Sequence, residues 1–164
     1  VYKVGDEFPM LSQRSMHYFR RIAELVLAPV LADDHVHIKR VATSRAASFV
    51  KVAVDTYRSG EDVIAACKPL LYEFRTYTSR TIALVKYHSE LESYIREALA
   101  PAPSRSVRRV DVYREEHQAR VIVEPGTIAQ FLGRKGMNAA VASKLTGYGL
   151  VLVDEGDLGK VGGA

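Results

Sequence analysis

The order of the predicted helices and strands is the feature that most constrains this 164-residue chain, because the same order occurs twice. In each half a helix precedes two strands whose apolar residues alternate, and further helical residues and one short strand follow. The elements with the clearest patterns are helices 14–28 and 89–100 and strands 35–43, 48–55, 106–114 and 119–124. Because no flexible linker separates the halves, the repeat predicts an α+β fold with two units packed as one rigid body.

The unit boundaries follow from the second of these helices, which opens the second copy of the pattern. Its apolar residues follow helical spacing, and Pro101 and Pro103 come shortly after it. We expect the first unit at residues 1–88, including an N-terminal helix, and the second unit at 89–155. The glycine-rich residues 156–164 carry too little apolar surface to pack, so we expect a flexible tail there.

Three helix starts carry the same capping pattern, in which a hydroxyl residue is followed three positions later by an acidic or amide residue. The pairs are Ser59 and Asp62, Ser89 and Glu92, and Thr127 and Gln130. The pattern predicts that each hydroxyl accepts a hydrogen bond from an N–H group of the first helical turn.

Composition and charge limit the possible functions. Lys and Arg number 23 against 19 Asp and Glu, and the resulting net charge of +4 permits an anionic partner without requiring one. The single cysteine, Cys67, excludes an internal disulfide framework and a cysteine-rich zinc site. No apolar run approaches the roughly 20 residues that span a bilayer, so we expect a soluble protein with no membrane partner.

The motif that most strongly suggests a function is Gly133-Arg134-Lys135-Gly136. It lies between a short predicted helix and a longer one that starts near Asn138. Glycines allow a nucleic-acid backbone to come close, and the N–H groups that start the next helix can bind a phosphate. Arg134 and Lys135 add positive charge at the same place. The pattern predicts binding of single-stranded nucleic acid, and the alternative is a surface turn whose charges are only solvated.

Three stretches of the second half, at 119–124, 128–138 and 142–148, closely resemble the second KH domain of the NusA family of bacterial transcription factors. Residues 36–42 are similar to the first strand of that family's first KH domain, and 90–101 to the helix that joins its two domains. The resemblance implies two tandem type II KH domains, each ordered α-β-β-α-α-β, with one continuous RNA-binding surface. It also implies a role at RNA polymerase, on nascent RNA, in transcription pausing, termination and antitermination.

The loop and the resemblance together give the predicted RNA-binding residues. We expect the loop to contact phosphates, apolar side chains of the flanking helices to form a groove for bases, and polar side chains to complete the site. The predicted set is Gly133, Arg134, Lys135 and Gly136 in the loop, Ile128, Leu132 and Val141 in the groove, Asn138 and Lys144 on the second helix, and Lys39, Arg40 and Arg45 in the first unit.

The first unit departs from the family pattern at the position of its own glycine loop. The sequence at 67–70 is Cys-Lys-Pro-Leu, with no glycine, and Pro69 lacks the N–H that a phosphate would need. We therefore expect a degenerate first KH domain, which serves as a scaffold or uses its basic residues in another way.

Two functional hypotheses stay open at this point. The preferred one is a single-stranded RNA-binding module of a transcription factor, without enzymatic activity, cofactor or small-molecule substrate. The alternative is a KH scaffold that binds RNA polymerase or a ribosome-assembly partner and has weak or lost RNA binding. No set of nucleophile, base and orienting residues is recognisable, and a metal site at His35 and His37 lacks a third ligand at motif spacing.

The chain begins at Val1, without an initiator methionine. We expect a fragment of a longer factor, a processed product or a stand-alone relative with two KH domains. A bacterial or archaeal cytoplasm fits the preferred hypothesis, and an organelle, after removal of a transit peptide, is the other location left open.

Overall fold

The computed structural model describes residues 2–4, 13–32, 35–57 and 60–162, and side chains within 15–32, 35–57 and 61–158. The strands are β1 (Tyr2–Val4), β2 (Val36–Ala42), β3 (Phe49–Thr56), β4 (Thr81–Lys86), β5 (Val107–Tyr113), β6 (Gln118–Val123) and β7 (Gly149–Asp154). The helices are α1 (Gln13–Val26), α2 (Ala28–Leu31), α3 (Gly60–Cys67), α4 (Leu71–Thr78), α5 (Leu91–Ala98), α6 (Ile128–Leu132), α7 (Met137–Thr146) and α8 (Glu155–Gly162). Within the described part of the chain, no helix is long and apolar enough to cross a membrane.

Two sheets with the same internal arrangement organise the chain. In the first sheet β2 is antiparallel to β3, and β3 is parallel to β4. In the second sheet β5 is antiparallel to β6, and β6 is parallel to β7. Helices α3 and α4 connect the parallel strands of the first sheet, and α6 and α7 those of the second. The order αββααβ therefore occurs twice, which confirms the prediction of two tandem units with the type II KH fold.

Strand β1 adds to the second sheet, where it lies antiparallel to β7. It pairs Tyr2 with Leu152 and Val4 with Leu150. The first residues of the chain thus join the second sheet, although they fall within the range 1–88 that the sequence assigned to the first unit.

Strand β3 is buried on both faces, whereas its alternating pattern predicted one buried face. On one face Val50, Val52 and Val54 pack with the helices of the first unit. On the other face Ala53 belongs to a core cluster shared with the second unit, and Lys51 is fully buried. The second unit covers the face that a solitary unit would leave in solvent, and alternation along the strand does not reveal this cover.

Helix α7 lies between the two sheets. It packs against β7 and α6 of its own unit and against β2 and β3 of the first unit. The Tyr94 hydroxyl of α5 donates a hydrogen bond to the Leu145 carbonyl oxygen at 2.9 Å, and the Ser44 hydroxyl lies 3.3 Å from the Met137 sulfur. The buried residues of α7 are Met137, Asn138, Ala139, Ala140, Val141, Ala142, Ser143, Leu145 and Thr146. The two units therefore share one core through this helix.

The helix starts differ from the predicted capping. The Thr127 hydroxyl donates to the Glu124 carbonyl oxygen at 2.6 Å instead of accepting an N–H from α6. Helix α5 has Glu90, and not Ser89, at its capping position, and the Glu90 carboxylate accepts a hydrogen bond from the Ser93 hydroxyl at 3.2 Å instead of from a first-turn N–H group. Ser59 lies outside the described residues.

Helix α8 occupies the segment in which the sequence analysis expected a flexible tail. The Asp154 carboxylate accepts hydrogen bonds from the Gly156 N–H at 2.7 Å and from the Gly126 N–H at 3.0 Å. A carboxylate at the start of a helix satisfies a free N–H and interacts favourably with the helix dipole. This cap favours a helix in spite of the glycines, and residues 163 and 164 lie outside the described part.

Candidate nucleic-acid interface

The loop between α6 and α7 has the backbone conformation that its glycines predict. Gly133 has φ 73° and ψ −179°, and Gly136 has φ 74° and ψ 8°. Lys135 also has a positive φ, of 57°. Positive φ is readily available to glycine and uncommon for other residues. The chain turns sharply here, and the side chains of Arg134 and Lys135 are exposed.

The two glycines serve different purposes. A Cβ atom on Gly133 would lie 2.5 Å from the Asn138 Cβ, whereas one on Gly136 would meet nothing within 4 Å. Gly133 is therefore required by internal packing. Gly136 presents open backbone to which an incoming group can come close.

The buried side chain of Asn138 stabilises the glycine loop by hydrogen bonds to two main-chain carbonyl groups. Its side chain is 7% exposed, and its Nδ2 donates to the carbonyl oxygens of Leu99 at 2.8 Å and Phe131 at 3.0 Å. Leu99 follows α5 and Phe131 lies in α6, so one amide ties these two elements together. Contrary to the sequence-based expectation of a contact to RNA, Asn138 positions the loop and does not face solvent.

A shallow groove of about 310 Å³ lies beside α6. The predicted groove residues Ile128 and Leu132 are brought together there, with Ala129 and Asp154, which the sequence analysis did not select. Val141 was predicted for the same groove, but it is fully buried because α7 is covered by a sheet on each side. The groove is therefore lined by α6, by Gly126, by the end of β7 and by Asp157 of α8, and not by α7.

Lys144 lies in the last turn of α7. It is half-buried, and burial lowers the pKa of its ammonium group. It follows Gly136 by eight residues, which corresponds to about 12 Å along a helix. The structure thus places it at the opposite end of α7 from the glycine loop.

Lys39 and Arg40, predicted as RNA contacts of the first unit, lie far along β2 from the loop. The Lys39 ammonium lies 5.3 Å from the ring centre of Tyr87. Burial raises the pKa of Tyr94, and the positive charge of Arg40 opposes this shift. Tyr94 bonds to Leu145 in the last turn of α7, so Lys39 and Arg40 lie near the C-terminal end of that helix.

Arg45 is placed differently. It is exposed in the turn between β2 and β3, directly after Ser44, whose hydroxyl contacts Met137. Met137 is the first residue after the glycine loop. Of the three basic residues predicted in the first unit, Arg45 is the one whose segment adjoins the loop.

The first unit has a helical connection where the second has its glycine loop. Between α3 and α4 the chain forms a 3₁₀ turn, Lys68–Leu70, flanked by right-handed helical residues. No residue with positive φ occurs from Gly60 to Thr78. The first KH unit is therefore degenerate at this position, as predicted, and offers no bare backbone there.

His35 packs at an angle against the ring of Tyr57, with ring centres 5.6 Å apart. Within the part of the chain that the structure describes, no three or more His, Cys, Asp or Glu side chains lie close enough together to hold a metal ion.

Lys51 is not among the residues predicted from the sequence. Its ammonium donates hydrogen bonds to the carbonyl oxygens of Ala98 and Ala100, the second at 2.8 Å. Burial lowers the pKa of Lys51 to about 7. The side chain also lines a cleft between the glycine loop and the first sheet. The available signal was a lysine at an alternating position within the otherwise apolar run 50–54.

Comparison with known proteins adds to this geometry. Residues 91–160 match the family model described as the NusA-like second KH domain. The transcription termination/antitermination protein NusA of Halalkalibacterium halodurans is 28% identical over 158 residues, which cover 93% of this chain and 40% of that protein. The NusA proteins of Mycobacterium tuberculosis and Bacillus subtilis are 29% and 27% identical and align with 84% and 87% of this chain. The chain spans about two fifths of the length of these relatives.

A solved structure, that of the protein APE1850, has a similar fold. It superimposes with a TM-score of 0.59 at 16% sequence identity, covering 88% of this chain and all of the other. At this identity the likeness concerns the fold alone. The family match at 91–160, the aligned NusA proteins and the repeated αββααβ order lead to one conclusion: this chain is similar to the KH region of NusA proteins.

Proposed function

We propose that this chain is the single-stranded RNA-binding module of a NusA-like factor in transcription elongation, termination or antitermination, and that the loop 133–136 holds the backbone of nascent RNA. The observation that carries the proposal is the open turn at Gly136, where bare backbone lies beside the exposed Arg134 and Lys135. A phosphate that approaches Gly136 meets no Cβ atom and has two cations in the same turn.

The electrostatics of the loop also favour an anion. Helix α7 begins directly after Gly136, so the positive end of its dipole is at the loop. The four loop residues include two cations and no acid. The local charge is therefore positive, although the net charge of the whole chain is only +4.

The groove beside α6 supplies the place for bases. Its apolar side chains, Ile128 and Leu132, suit the faces of unstacked bases, and KH domains hold about four nucleotides in such a groove. The carboxylates of Asp154 and Asp157, which also line the groove, repel phosphates. The phosphates therefore follow the loop while the bases lie in the groove.

The proposal extends to partners and organisation. The relatives are transcription termination/antitermination proteins, so we place this chain with nascent RNA at the RNA polymerase complex, in the cytoplasm, in a binding role without catalysis. We also propose the units 1–88, apart from β1, which pairs with β7, and 89–155 as two KH domains, of which the second contacts RNA and the first supports it.

The test compares Gly136→Asp with Gly136→Asn. Asp and Asn have the same shape and both tolerate a left-handed backbone, so the two variants differ mainly in one negative charge. Fluorescence anisotropy with labelled, mixed-sequence single-stranded RNA measures binding at two salt concentrations, and urea unfolding verifies equal stability. We expect the Asp variant to bind about ten-fold more weakly than the Asn variant, a difference of about 1.4 kcal/mol. We also expect a shallow salt dependence, because few phosphates are neutralised.

Gly133 is unsuitable for this test, because any side chain there collides with Asn138. Equal binding by the two Gly136 variants, or no RNA binding by the parent protein, would overturn the proposal.

A KH scaffold for RNA polymerase or a ribosome-assembly partner is the second candidate function. The observation in its favour is the first unit, which has no glycine loop and instead exposes Tyr72 and Tyr77 on α4, by 69% and 63%. Exposed tyrosines are common in protein interfaces. This candidate gains support from two results together. The parent protein binds no RNA but binds RNA polymerase or a ribosomal partner, and Tyr72→Ala and Tyr77→Ala weaken the binding of that partner.

A further inference from the structure

A second groove, of about 540 Å³, runs along β5, and the start of α5 forms its opposite wall. Residues 110–114 line it on the side of β5, and Glu90, Leu91 and Glu92 line it on the side of α5. Successive side chains of a strand point to opposite faces of the sheet. A groove that contacts five consecutive residues therefore follows the edge of the strand and not one of its faces.

This edge of β5 is unpaired among the residues that the structure describes. The strand order is β1-β7-β6-β5, so β6 lies on one side of β5, and at the far end of the same sheet β1 covers β7. The pairing of β5 with β6 shifts register between Val107 and Arg109 and is regular from Val110 to Tyr113. A regular open edge offers main-chain N–H and C=O groups to another extended segment.

The groove has apolar side chains at its base. Val110 is buried, and Leu91 and Val112 are partly buried against the core that the two units share. Leu91 and Val112 thus leave part of their apolar surface to the groove, one from each wall. An apolar side chain of an added strand gains free energy by covering this surface.

The charges around the groove are mainly negative, although the net charge of the chain is +4. The charged residues of the described lining are Glu90, Glu92, Asp111 and Arg114. Arg109 bonds to Asp111 at 3.1 Å, whereas Glu90 and Glu92 are exposed. The turn that follows β5 adds the exposed Glu115 and Glu116. This surface repels phosphates and attracts a cationic segment.

We propose that the groove beside β5 binds an extended basic segment of a partner protein, which adds a strand to the edge of β5. Alternate residues of the segment are apolar and pack on Leu91 and Val112, and the residues between them are Lys or Arg, whose long side chains reach the carboxylates of the groove. A second copy of this chain is a poorer occupant, because a symmetric contact through β5 brings the same carboxylates of both copies together.

The inference is independent of the proposed RNA binding. The groove lies at the start of α5, and the carbonyl group that Asn138 binds belongs to Leu99, directly after the other end of this helix. The eight residues of α5 correspond to about 12 Å. A partner in the groove therefore leaves the glycine loop open to RNA.

The experiment compares Glu92→Lys with Glu61→Lys in the full chain. Both glutamates are exposed and lie in the first turn of a helix, α5 and α3, so the two changes alter the net charge and the interaction with a helix dipole alike. Of the two, Glu92 lines the groove. Circular dichroism and urea unfolding verify that both variants fold.

The probe is a fluorescein-labelled heptapeptide of alternating Lys and Val, which spans the five groove residues of the β5 side with one residue to spare at each end. One control peptide has the same residues in block order, with all lysines before all valines. The other has Glu in place of Lys. Fluorescence anisotropy measures the affinity, and NMR spectra of ¹⁵N-labelled protein locate the peptide.

We expect the alternating peptide to bind Glu92→Lys at least about five-fold more weakly than Glu61→Lys, because the new lysine repels the peptide within the groove. The parent protein binds the block-order peptide at least about three-fold more weakly than the alternating one, since alternation alone places all valines on one side. The amide signals of residues 110–114 shift when the alternating peptide binds.

The opposite results overturn the inference. An equal loss in Glu92→Lys and Glu61→Lys shows that the peptide responds only to the overall charge. Equal affinity for the alternating and block-order peptides, tighter binding of the Glu peptide, unshifted amides at 110–114 or no binding by the parent protein also contradicts it. Self-association that Glu92→Lys alters and Glu61→Lys does not makes a second copy the occupant. None of these results affects the RNA proposal, which the Gly136 pair tests.

Discussion

The buried ammonium group of Lys51 makes the stability of this protein depend on pH, and Lys51→Met removes that dependence. Burial lowers the pKa of Lys51 from 10.5 to about 7 in the folded chain. The unfolded chain keeps the ordinary value, so between these two pH values it holds a proton that the folded chain has lost. The free energy of unfolding therefore rises with pH across this window.

The size of the effect follows from the two pKa values. Each pH unit over which the unfolded chain holds one more proton than the folded chain adds about 1.4 kcal/mol to the free energy of unfolding. Between about pH 7 and about pH 9.5 the folded protein gains about 3 kcal/mol, since Lys51 is still half-protonated at the lower limit. Below about pH 6 both states are protonated, and the contribution of Lys51 no longer changes.

The assay is urea unfolding of the parent protein and of Lys51→Met, followed by circular dichroism across this pH range. Methionine keeps an unbranched apolar side chain in the core but has no titrating group. All other titrating groups are common to both proteins, so the difference between the two unfolding free energies isolates Lys51. Parallel curves for the two proteins, with a constant difference across the range, would refute the reasoning.

Other predictions concern the loop and the last helix. Gly133→Ala costs about 2–4 kcal/mol of stability in urea unfolding, because the new Cβ meets Asn138 and the backbone conformation is almost restricted to glycine. Gly136→Ala costs only about 1–2 kcal/mol, and equal losses at the two glycines contradict the packing argument. Lys135→Asn changes the free energy of unfolding by no more than about 0.5 kcal/mol, since Asn tolerates positive φ. The same variant lowers the slope of log affinity for RNA against log salt concentration by about 1, and an unchanged slope shows that Lys135 contacts no phosphate. Asp154→Ala lowers the free energy of unfolding in urea by about 1–2 kcal/mol, because the carboxylate bonds to two N–H groups. An unchanged free energy of unfolding shows that these bonds do not stabilise α8.

Much of the fold was predictable because both periodicities are clear in the sequence. The alternation of Val110 and Val112 and of Val121 and Val123 places β5 and β6 correctly, and the helical stripe from residue 91 places α5. The glycine loop was predictable for a different reason. Few residues other than glycine adopt its backbone angles, so the sequence at 133–136 limits the conformation directly.

The errors in the predicted site concern residues whose surroundings come from packing between elements, in the same unit for Asn138 and from the other unit for Lys51 and Val141. Periodicity shows that Lys51, Asn138 and Val141 share faces with particular neighbours, but it does not show what covers those faces. Val141 was predicted for a groove and is buried, because the first sheet packs on α7. In the sequence, Lys51 looks like an ordinary solvent-facing lysine of a hairpin. In the structure it is buried, because the second unit covers that face of the sheet. The signal that could have revealed this is the run 50–54 of β3, which is apolar except for Lys51, and the small apolar run 139–142 of α7. Such runs are typical of elements buried on both sides.

A common anchor explains how a degenerate first unit can still contribute to the loop of the second. Lys51 in the first sheet donates to the carbonyl groups of Ala98 and Ala100, and Asn138 donates to the carbonyl group of Leu99 between them. The same Asn138 packs against Gly133 and binds the end of α6. Contacts therefore run without interruption from the first sheet, through the turn 98–100, to the glycine loop. The first unit has no glycine loop at 67–70, but it supplies one wall of the cleft and, through Lys51, bonds to the same turn that Asn138 binds. The proposed scaffold role of the first unit and the proposed RNA binding by the second are thus compatible with one arrangement.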